Sequence, residues 1–347
     1  MRLTMFRLLA TAVALSAILP GCTPGVEVTV LGGSTMATSY TARVADPVAD
    51  SESLGREIQA LLDEIEHRMS TYVDESDVTR FNRSTTTDWF PVASSTCEVV
   101  LLSLSVSTLT GGAFDITVGP LVDLWGFGPN GEIDATPAPE LLAATRERTG
   151  YAGVSADCSQ PAIRKDRGEL EIDLSAVAKG YAVDVLADML DAHGFENYLV
   201  EVGGEMRVAG TKPGGEAWRV GIEAPVRDRR DVYDALGITG TAVASSGDYR
   251  NYLEIDGRFY SHTIDPRTGA PVAHTTGGVT VLAPSAGYAD ALATALLVLG
   301  AEDGLELAER ENIAALFLTR TADGVSATVS SRFDALRRGS ANLRDTP

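Results

Sequence analysis

The stretch Tyr288-Ala-Asp-Ala-Leu-Ala-Thr-Ala-Leu296 sets a carboxylate and a hydroxyl, Asp290 and Thr294, four residues apart on an alanine-rich segment. Helical geometry stacks residues i and i+4 on one face. The small neighbours Ala289, Ala291, Ala293 and Ala295 allow a second backbone to come close. Two hard oxygen donors in a crowded setting suit Mg²⁺, which takes few protein ligands and fills its octahedron with phosphate oxygens and water. The same spacing also describes ordinary surface or packing pairs, so other segments have to carry the argument.

Three segments add to it. Ile172-Asp-Leu-Ser-Ala-Val-Ala-Lys-Gly180 reads as a strand-to-helix junction. Leu170–Leu174 alternates like a short strand, and Ser175 is placed to N-cap a helix running to about His193, with Gly194 as its stop. The first N–H groups of a helix lack internal partners and carry the positive dipole end, so the junction can hold a phosphate. Lys179 adds a cation, and Asp173 can accept hydrogen bonds from a ligand or simply cap the helix. The second segment, Gly111 to Gly128, interleaves glycines, aromatics and the carboxylates Asp115 and Asp123. It either lays backbone against a flat ligand or packs Phe114, Trp125 and Phe127 into the core. The third, Ser261-His-Thr-Ile-Asp-Pro-Arg-Thr-Gly269, ends a strand in a tight turn. Its His262 is a candidate general base near neutral pH, with Asp265 second. His67 and His193 fall in helical patterns and read as structural or exposed.

The elements that must position these groups follow from periodicity. Leu54, Ile58, Leu61, Leu62, Ile65 and Met69 predict a helix over Ser51–Met69. A second starts near Ser95, where Ser95 and Glu98 have capping-box spacing, and stops at Gly111-Gly112. A third covers Pro139–Thr149. Tyr198–Val202 is a predicted strand running into the turn Gly203-Gly204. Met206–Glu223 reads as a hairpin around Pro213-Gly214-Gly215. Tyr249–Ile255 and Arg258–Thr263 read as another, joined by Asp256-Gly257. Strand Val279–Leu282, the Asp290 helix, a helix near Glu302–Arg310 and strand Ala314–Leu318 complete the order. From about Ser330 the chain is polar and predicted to be loosely held. Hairpins with inserted helices predict an α+β (mixed α/β) fold, rich in antiparallel sheet, with two interleaved subdomains and the site between them.

Arg2 and Arg7 precede an apolar run of 12 residues, Leu8 to Leu19. That is short for a membrane span and reads as the apolar core of a signal peptide. Leu19-Pro-Gly-Cys22 resembles a bacterial lipobox, in which Cys22 would be lipidated; a secretory signal with a chance cysteine is the alternative. The expected division is a signal peptide over 1–21, a tether over 22–34, a functional domain over 35–330 and a tail over 331–347. The expected location is outside the cytoplasm, lipid-anchored to the outer face of the cytoplasmic membrane or in the periplasm. Net charge is −20, and −22 without Arg2 and Arg7. That argues against a nucleic-acid partner and requires a local cation or helix N-terminus for any anionic ligand. Cys97 and Cys158 could pair in an oxidising compartment, though nothing in the sequence shows it. The lack of CxxC or a His/Cys cluster argues against zinc and iron–sulfur sites.

Together these segments resemble the ApbE family, the FAD:protein FMN transferases, which include proteins named thiamine-biosynthesis lipoproteins. The resemblance spans roughly residues 35–320. It is carried by Thr35-Met-Ala-Thr38, Met69-Ser-Thr-Tyr72 with Ser76, Asp77 and Phe81-Asn82, Gly111–Gly128, Ile172–Gly180, Glu201-Val-Gly-Gly204, Ser246-Gly-Asp-Tyr249, His262–Gly269 and Ala289–Thr294. Two departures are Ala37, where many members have glycine, and Ile116, where a proline is common. The resemblance implies an enzyme that binds FAD and Mg²⁺ and moves FMN onto an acceptor threonine hydroxyl, releasing AMP. It implies FAD contacts at Met36, Tyr72, Ala113, Phe114, Asp115, Asp173, Lys179 and Ile264. It implies a cation held by Asp290, Thr294 and the backbone carbonyl of Ala176. The implied acceptor is a flavin-carrying subunit of an Nqr- or Rnf-type redox complex or another exported flavoprotein. An FAD pyrophosphatase giving FMN and AMP would use the same residues. A non-enzymatic anchored flavin carrier is the other alternative, against which Asp173, His262, Asp290 and Thr294 together argue, since storage requires no metal beside the pyrophosphate.

Overall fold

The computed structural model describes residues 27–342 apart from 129, 130, 132 and 228. The expected signal peptide and Cys22 lie outside the described residues. In chain order the elements are β1 (Thr29–Thr35), β2 (Thr38–Val44), α1 (Ser51–Met69), α2 (Asp77–Arg83), β3 (Phe90–Pro91), α3 (Ser94–Leu109), α4 (Gly119–Leu124) and α5 (Pro139–Arg146). A single 3₁₀ turn, Tyr151–Gly153, leads to β4 (Val154–Asp157), β5 (Ala162–Lys165), α6 (Ala178–Ala192), β6 (Tyr198–Val202), β7 (Glu205–Ala209), β8 (Trp218–Glu223) and β9 (Val232–Ile238). Then come β10 (Thr241–Gly247), β11 (Tyr252–Ile255), β12 (Arg258–Ser261), β13 (Ile264–Asp265), β14 (Ala270–Pro271), β15 (Thr276–Ala283), α7 (Ala286–Arg310), β16 (Ala314–Thr321), β17 (Gly324–Val329) and α8 (Ser331–Asn342).

Eight strands form one antiparallel sheet in the order β1-β2-β6-β7-β10-β15-β16-β17. Its strands come from both ends of the chain, and residues 51–192 supply helices and a small β3-β5-β4 sheet between them. The fold is therefore mixed and antiparallel-rich, with interleaved segments, as its pattern of hairpins and helices predicts.

Period-two alternation divides the sheet's side chains between two cores. Ala315 and Phe317 of β16 join the core under α1, α3, α6 and α7. Ala314, Leu316 and Leu318 point the other way, onto β8, β9 and α8. All eight residues of β15 are buried, as expected of a strand covered on both faces. A third cluster gathers Leu121, Trp125 and Ile264. Among the described residues no helix is long and apolar enough to cross a membrane.

Several local expectations change. The Met206–Glu223 segment is not a hairpin: β7 pairs with β6 and β10, while β8 pairs with β9. Trp218, Val220 and Ile222 are buried in the second core, so burial of their apolar face outweighs the local turn signal. Leu170–Leu174 is not a strand, because its backbone is held by side chains. Asn82 donates to the Ile172 carbonyl at 2.8 Å and accepts from Ile172 N–H at 2.8 Å. The buried Lys165 ammonium donates to the carbonyls of Phe81 and Leu170. The tether ends earlier than expected, since β1 begins at Thr29. The tail is not loose at its start, because α8 buries Phe333. Ser95 does not cap α3. Asp77, reaching across from α2, accepts from Ala93 N–H and Thr96 Oγ1 at that end instead. Gly300, at φ 77°, separates the Asp290 helix from the next, as the sequence suggests.

Cys97 and Cys158 form a disulfide across a separation of 61 residues. The closed loop contains the whole Gly111–Gly128 segment. Loop-closure entropy for that length is about 4 kcal/mol. The Cys97→Ala/Cys158→Ala variant is expected to lose about that much stability in a urea titration. A midpoint equal to that of the wild type would contradict the structural role.

Candidate active site

Helices α6 and α7 cap one another. Asp184 of α6 receives Ser285 Oγ at 2.8 Å, Ala286 N–H at 2.8 Å and Gly287 N–H at 2.9 Å from the start of α7. In return, Asp290 of α7 receives Gly180 N–H at 3.1 Å from the first turn of α6. A helix N-terminus leaves its first N–H groups without internal partners, and a carboxylate is the strongest acceptor for them. The exchange needs backbones almost in contact. A Cβ on Gly180 would lie 2.4 Å from the Ala286 carbonyl oxygen. The contact is made at Ala286 and Gly287, while Ala289, Ala291, Ala293 and Ala295 are buried further along α7. Ser175 is accordingly not the N-cap: the helix starts at Ala178 after Val177, and Ser175 N–H bonds to Asp173 Oδ1 at 2.8 Å. Gly180 N–H is one of the first-turn donors that no carbonyl of the helix can satisfy, and Asp290 is its acceptor.

Lys179 stands over this mouth. Its ammonium lies 3.8 Å from Asp290 Oδ2 and 3.7 Å from Glu205 Oε1, and donates to the Ser175 carbonyl at 3.2 Å. Both carboxylates are buried, with side chains 4% and 5% exposed. Burial and repulsion from Asp290 push the Glu205 carboxyl up to about 8, and burial raises Asp290 as well. Glu205 Oε2 is buried with no hydrogen-bond partner. Two buried carboxylates share one lysine, so full ionisation of both would leave surplus negative charge at the mouth. Thr294 sits one turn beyond Asp290, its hydroxyl 3.1 Å from Ser246 Oγ on β10. Asp290, Thr294 and the Ala176 carbonyl are all hard oxygen donors, the type that fits Mg²⁺. Among the described residues no group of three or more His, Cys, Asp or Glu could hold a metal. This sparse donor set suits a cation that takes most of its ligands from phosphate and water.

The glycine-rich segment wraps beside this point. Asp115 accepts Thr117 N–H, Thr117 Oγ1 and Tyr151 N–H, so its carboxylate shapes the loop from within. Burial outweighs those bonds and raises its carboxyl. Ala113, Phe114 and Ile264 are buried. Asp173 N–H donates to the Ile116 carbonyl at 2.6 Å, and Trp125 Nε1 donates to the Gly269 carbonyl at 2.8 Å. The Asp173, glycine-rich and His262 segments are thereby joined. Met36 sits at the tip of the β1–β2 hairpin, its N–H bonded to Glu66 Oε2 at 2.9 Å. Tyr72 is 77% exposed on the loop after α1, a ring free to stack on a planar ligand. The structure does not pack it against the other candidates.

His262 Nδ1 faces the Asn251 carbonyl at 2.9 Å. A carbonyl only accepts, so Nδ1 carries the proton and Nε2 keeps its lone pair. Burial lowers its pKa, and the nearby Lys179 charge adds to the effect, while Asp248 opposes it. The imidazole is therefore neutral and basic at Nε2 at pH 7. Asp265 is committed elsewhere: Arg267 grips both its oxygens at 2.9 Å.

A family model described as the ApbE family matches residues 36–317. The chain belongs to the ApbE family. It is 44% identical over 324 residues to a protein of Vibrio cholerae named FAD:protein FMN transferase, covering 93% of this chain and 96% of that one. Its fold is similar to the solved flavin transferase ApbE from Vibrio cholerae, with a TM-score of 0.83 at 42% identity, covering 90% of this chain and 100% of that one. The flavinyl transferase ApbE of Pseudomonas stutzeri, solved in its apo form, gives a TM-score of 0.83 at 40% identity over 91% and 98% of the two chains.

Within this ApbE chain, sequence reasoning missed Glu205 and Asp184. Glu205 immediately follows the quoted Gly203-Gly204 turn, and a charge opening a strand after such a turn was the available signal. Asp184 lies inside α6, where nothing local marks a cap for another helix. The departure at Ala37 also acquires a meaning. Met36 and Ala37 have φ of 49° and 56°, the left-handed pair of a tight hairpin turn.

Two outcomes follow from this geometry. Ala37→Gly is expected to stabilise the protein by about 1 kcal/mol, since alanine pays a steric cost in the left-handed region that glycine avoids. An unchanged or lowered urea midpoint would contradict it. The second concerns pH. A carboxyl whose folded pKa lies above its unfolded value holds its proton more tightly in the folded state. The Glu205 contribution is thus fully present below pH 4.5 and lost as pH rises through about 8. In EDTA, the melting temperature of the wild type should fall more steeply across that window than that of Glu205→Gln; parallel curves would contradict the assignment.

Proposed function

We propose that this chain transfers FMN from FAD to a threonine hydroxyl of an acceptor protein, with Mg²⁺ as cofactor and AMP as the leaving group. The observation that carries the reading is the α6 mouth, where the Lys179 ammonium stands beside the buried carboxylates Asp290 and Glu205, with the Thr294 hydroxyl one turn beyond Asp290 on α7. A pyrophosphate needs a local cation in a chain of net charge −20. The family membership and the names of the relatives support the same reaction.

Asp290, Thr294 and the Ala176 carbonyl would hold the cation, which neutralises the pyrophosphate and stabilises charge on the departing AMP. Lys179, at the first turn of α6, binds phosphate oxygens. Met36, Tyr72, Ala113, Phe114, Asp173 and Ile264 line the FAD, while Asp115 contributes through the backbone it shapes. The acceptor hydroxyl oxygen bonds to the flavin-side phosphorus as that phosphorus separates from the bridging oxygen, which leaves with AMP. The hydroxyl proton passes to His262 Nε2.

The Cys97–Cys158 disulfide supports an oxidising compartment. With the lipobox-like Leu19–Cys22 stretch, it supports export and membrane anchoring through Cys22. The acceptor would then be a flavin-carrying subunit of an exported or membrane redox system of the Nqr or Rnf type, or another exported flavoprotein.

The test combines the protein with FAD, Mg²⁺ and a threonine-bearing acceptor domain, and follows AMP release and the acceptor's intact mass. An FMN-sized gain that needs Mg²⁺ and the threonine is expected. AMP release without any mass gain would point instead to an FAD pyrophosphatase, and FAD binding without AMP to a flavin carrier. Asp290→Asn keeps an acceptor for Gly180 but loses the charge. It should fold and lose on the order of 100-fold or more in turnover; full turnover at saturating Mg²⁺ would contradict the assignment. The acid limb of kcat/KM should titrate below the ordinary histidine value of 6.5 and vanish in His262→Gln. Retention of the limb would remove His262 as the base.

A further inference from the structure

Resting on the cation proposed above, we infer that Glu205 is a positioning residue: it provides a second berth for the Lys179 ammonium and so keeps Asp290 open to the cation. The ammonium is shared almost evenly between the two acids, 3.7 Å from Glu205 Oε1 and 3.8 Å from Asp290 Oδ2. Neither distance is a hydrogen bond. A buried lysine with Asp290 as its sole acid would close onto Oδ2, and in a low-dielectric pocket that pairing competes with a divalent ion for the same oxygen. Glu205 offers an equivalent seat on the opposite side.

Its environment fits that role. Glu205 opens β7, directly after the Gly203-Gly204 turn. Its Oε2 is buried without a partner, so the carboxylate has a lone-pair site in reserve for the ammonium. A Cβ on Gly203 would lie 3.0 Å from Lys179 Cδ and 3.4 Å from Glu205 Oε2. Glycine there, at φ 64°, keeps open the space that the lysine stem crosses. Cation binding at Asp290 repels the ammonium toward Glu205, and the lysine stays within reach of the pyrophosphate without competing for the metal's ligand.

The test is Mn²⁺ binding, read by EPR on the full chain with FAD present and acceptor absent. It compares wild type, Glu205→Gln, Lys179→Met and the double variant. Glu205→Gln should raise the half-saturating Mn²⁺ concentration about tenfold, because the displaced lysine then competes at Asp290. Lys179→Met should lower it. The double variant should bind like Lys179→Met, since no lysine remains to be berthed. Glu205→Asp keeps the charge and should fall between wild type and Gln. It carries the test if Gln fails to give a cooperative melt. Unchanged affinity in Glu205→Gln and in Glu205→Asp would overturn the inference. A double variant as weak as Glu205→Gln would also overturn it, by showing that Glu205 ligates the ion directly. Absence of Mn²⁺ binding in the wild type would instead sink the cation reading itself, and the inference with it.

Discussion

The mutual capping of α6 and α7 is the contact on which the site depends. Each helix start has unpaired N–H groups that cannot be buried without an acceptor, and each helix supplies a carboxylate to the other. Asp184 satisfies three donors at the start of α7, and Asp290 satisfies Gly180 at the start of α6. Only glycine at position 180 permits the approach. The arrangement fixes two helix ends against each other and holds Asp290 at their contact, with Thr294 one turn further along α7. Arg207 of β7 lies within 3.4 Å of Asp184 and 3.0 Å of Asp188, tying α6 to the sheet.

That geometry also creates an electrostatic problem. Asp290 is buried to serve as a cap, and Glu205 is buried beside it, with Lys179 their shared cation. Buried charge without full compensation is costly, and the raised carboxyl of Glu205 expresses that cost. A protein selected for stability alone would place an apolar side chain at one of these positions. The imbalance makes sense if a divalent cation and a pyrophosphate complete the cluster. The turn at Gly203, the loop held by Asp115 and the segment leading to His262 then serve to bring backbone and base around that centre.

The sequence carried much of this, unevenly. The helix over Ser51–Met69 and the β11–β12 hairpin were legible because a local period or an Asp-Gly turn determines them. The Asp290–Thr294 pair was legible because spacing within one helix defines a face. What could not be read depends on partners distant in sequence. Leu170–Leu174 alternates like a strand, yet Asn82 and Lys165 occupy its hydrogen-bonding groups. Ser175 looked like a cap, but the acceptor at that helix start came from Asp290, 110 positions away from Gly180. The β7–β8 segment has the turn residues of a hairpin, and burial of Trp218 on the far face of the sheet decided otherwise. Glu205 is marked locally only as a charge opening a strand after a glycine turn, and its role comes from sharing a lysine with Asp290.

The proposed reading has a divalent cation complete the cluster of Asp290, Glu205 and Lys179. Its most direct test is proton release on Mg²⁺ binding, measured by calorimetry in buffers of different ionisation enthalpy. Below the Glu205 pKa of about 8 that carboxyl is largely protonated, so binding at pH 7 should release close to one proton as Lys179 and the cation share the two acids. Release should fade toward zero by pH 9. Mg²⁺ binding with no proton release at pH 7, or release that is the same at both pH values, would contradict the account.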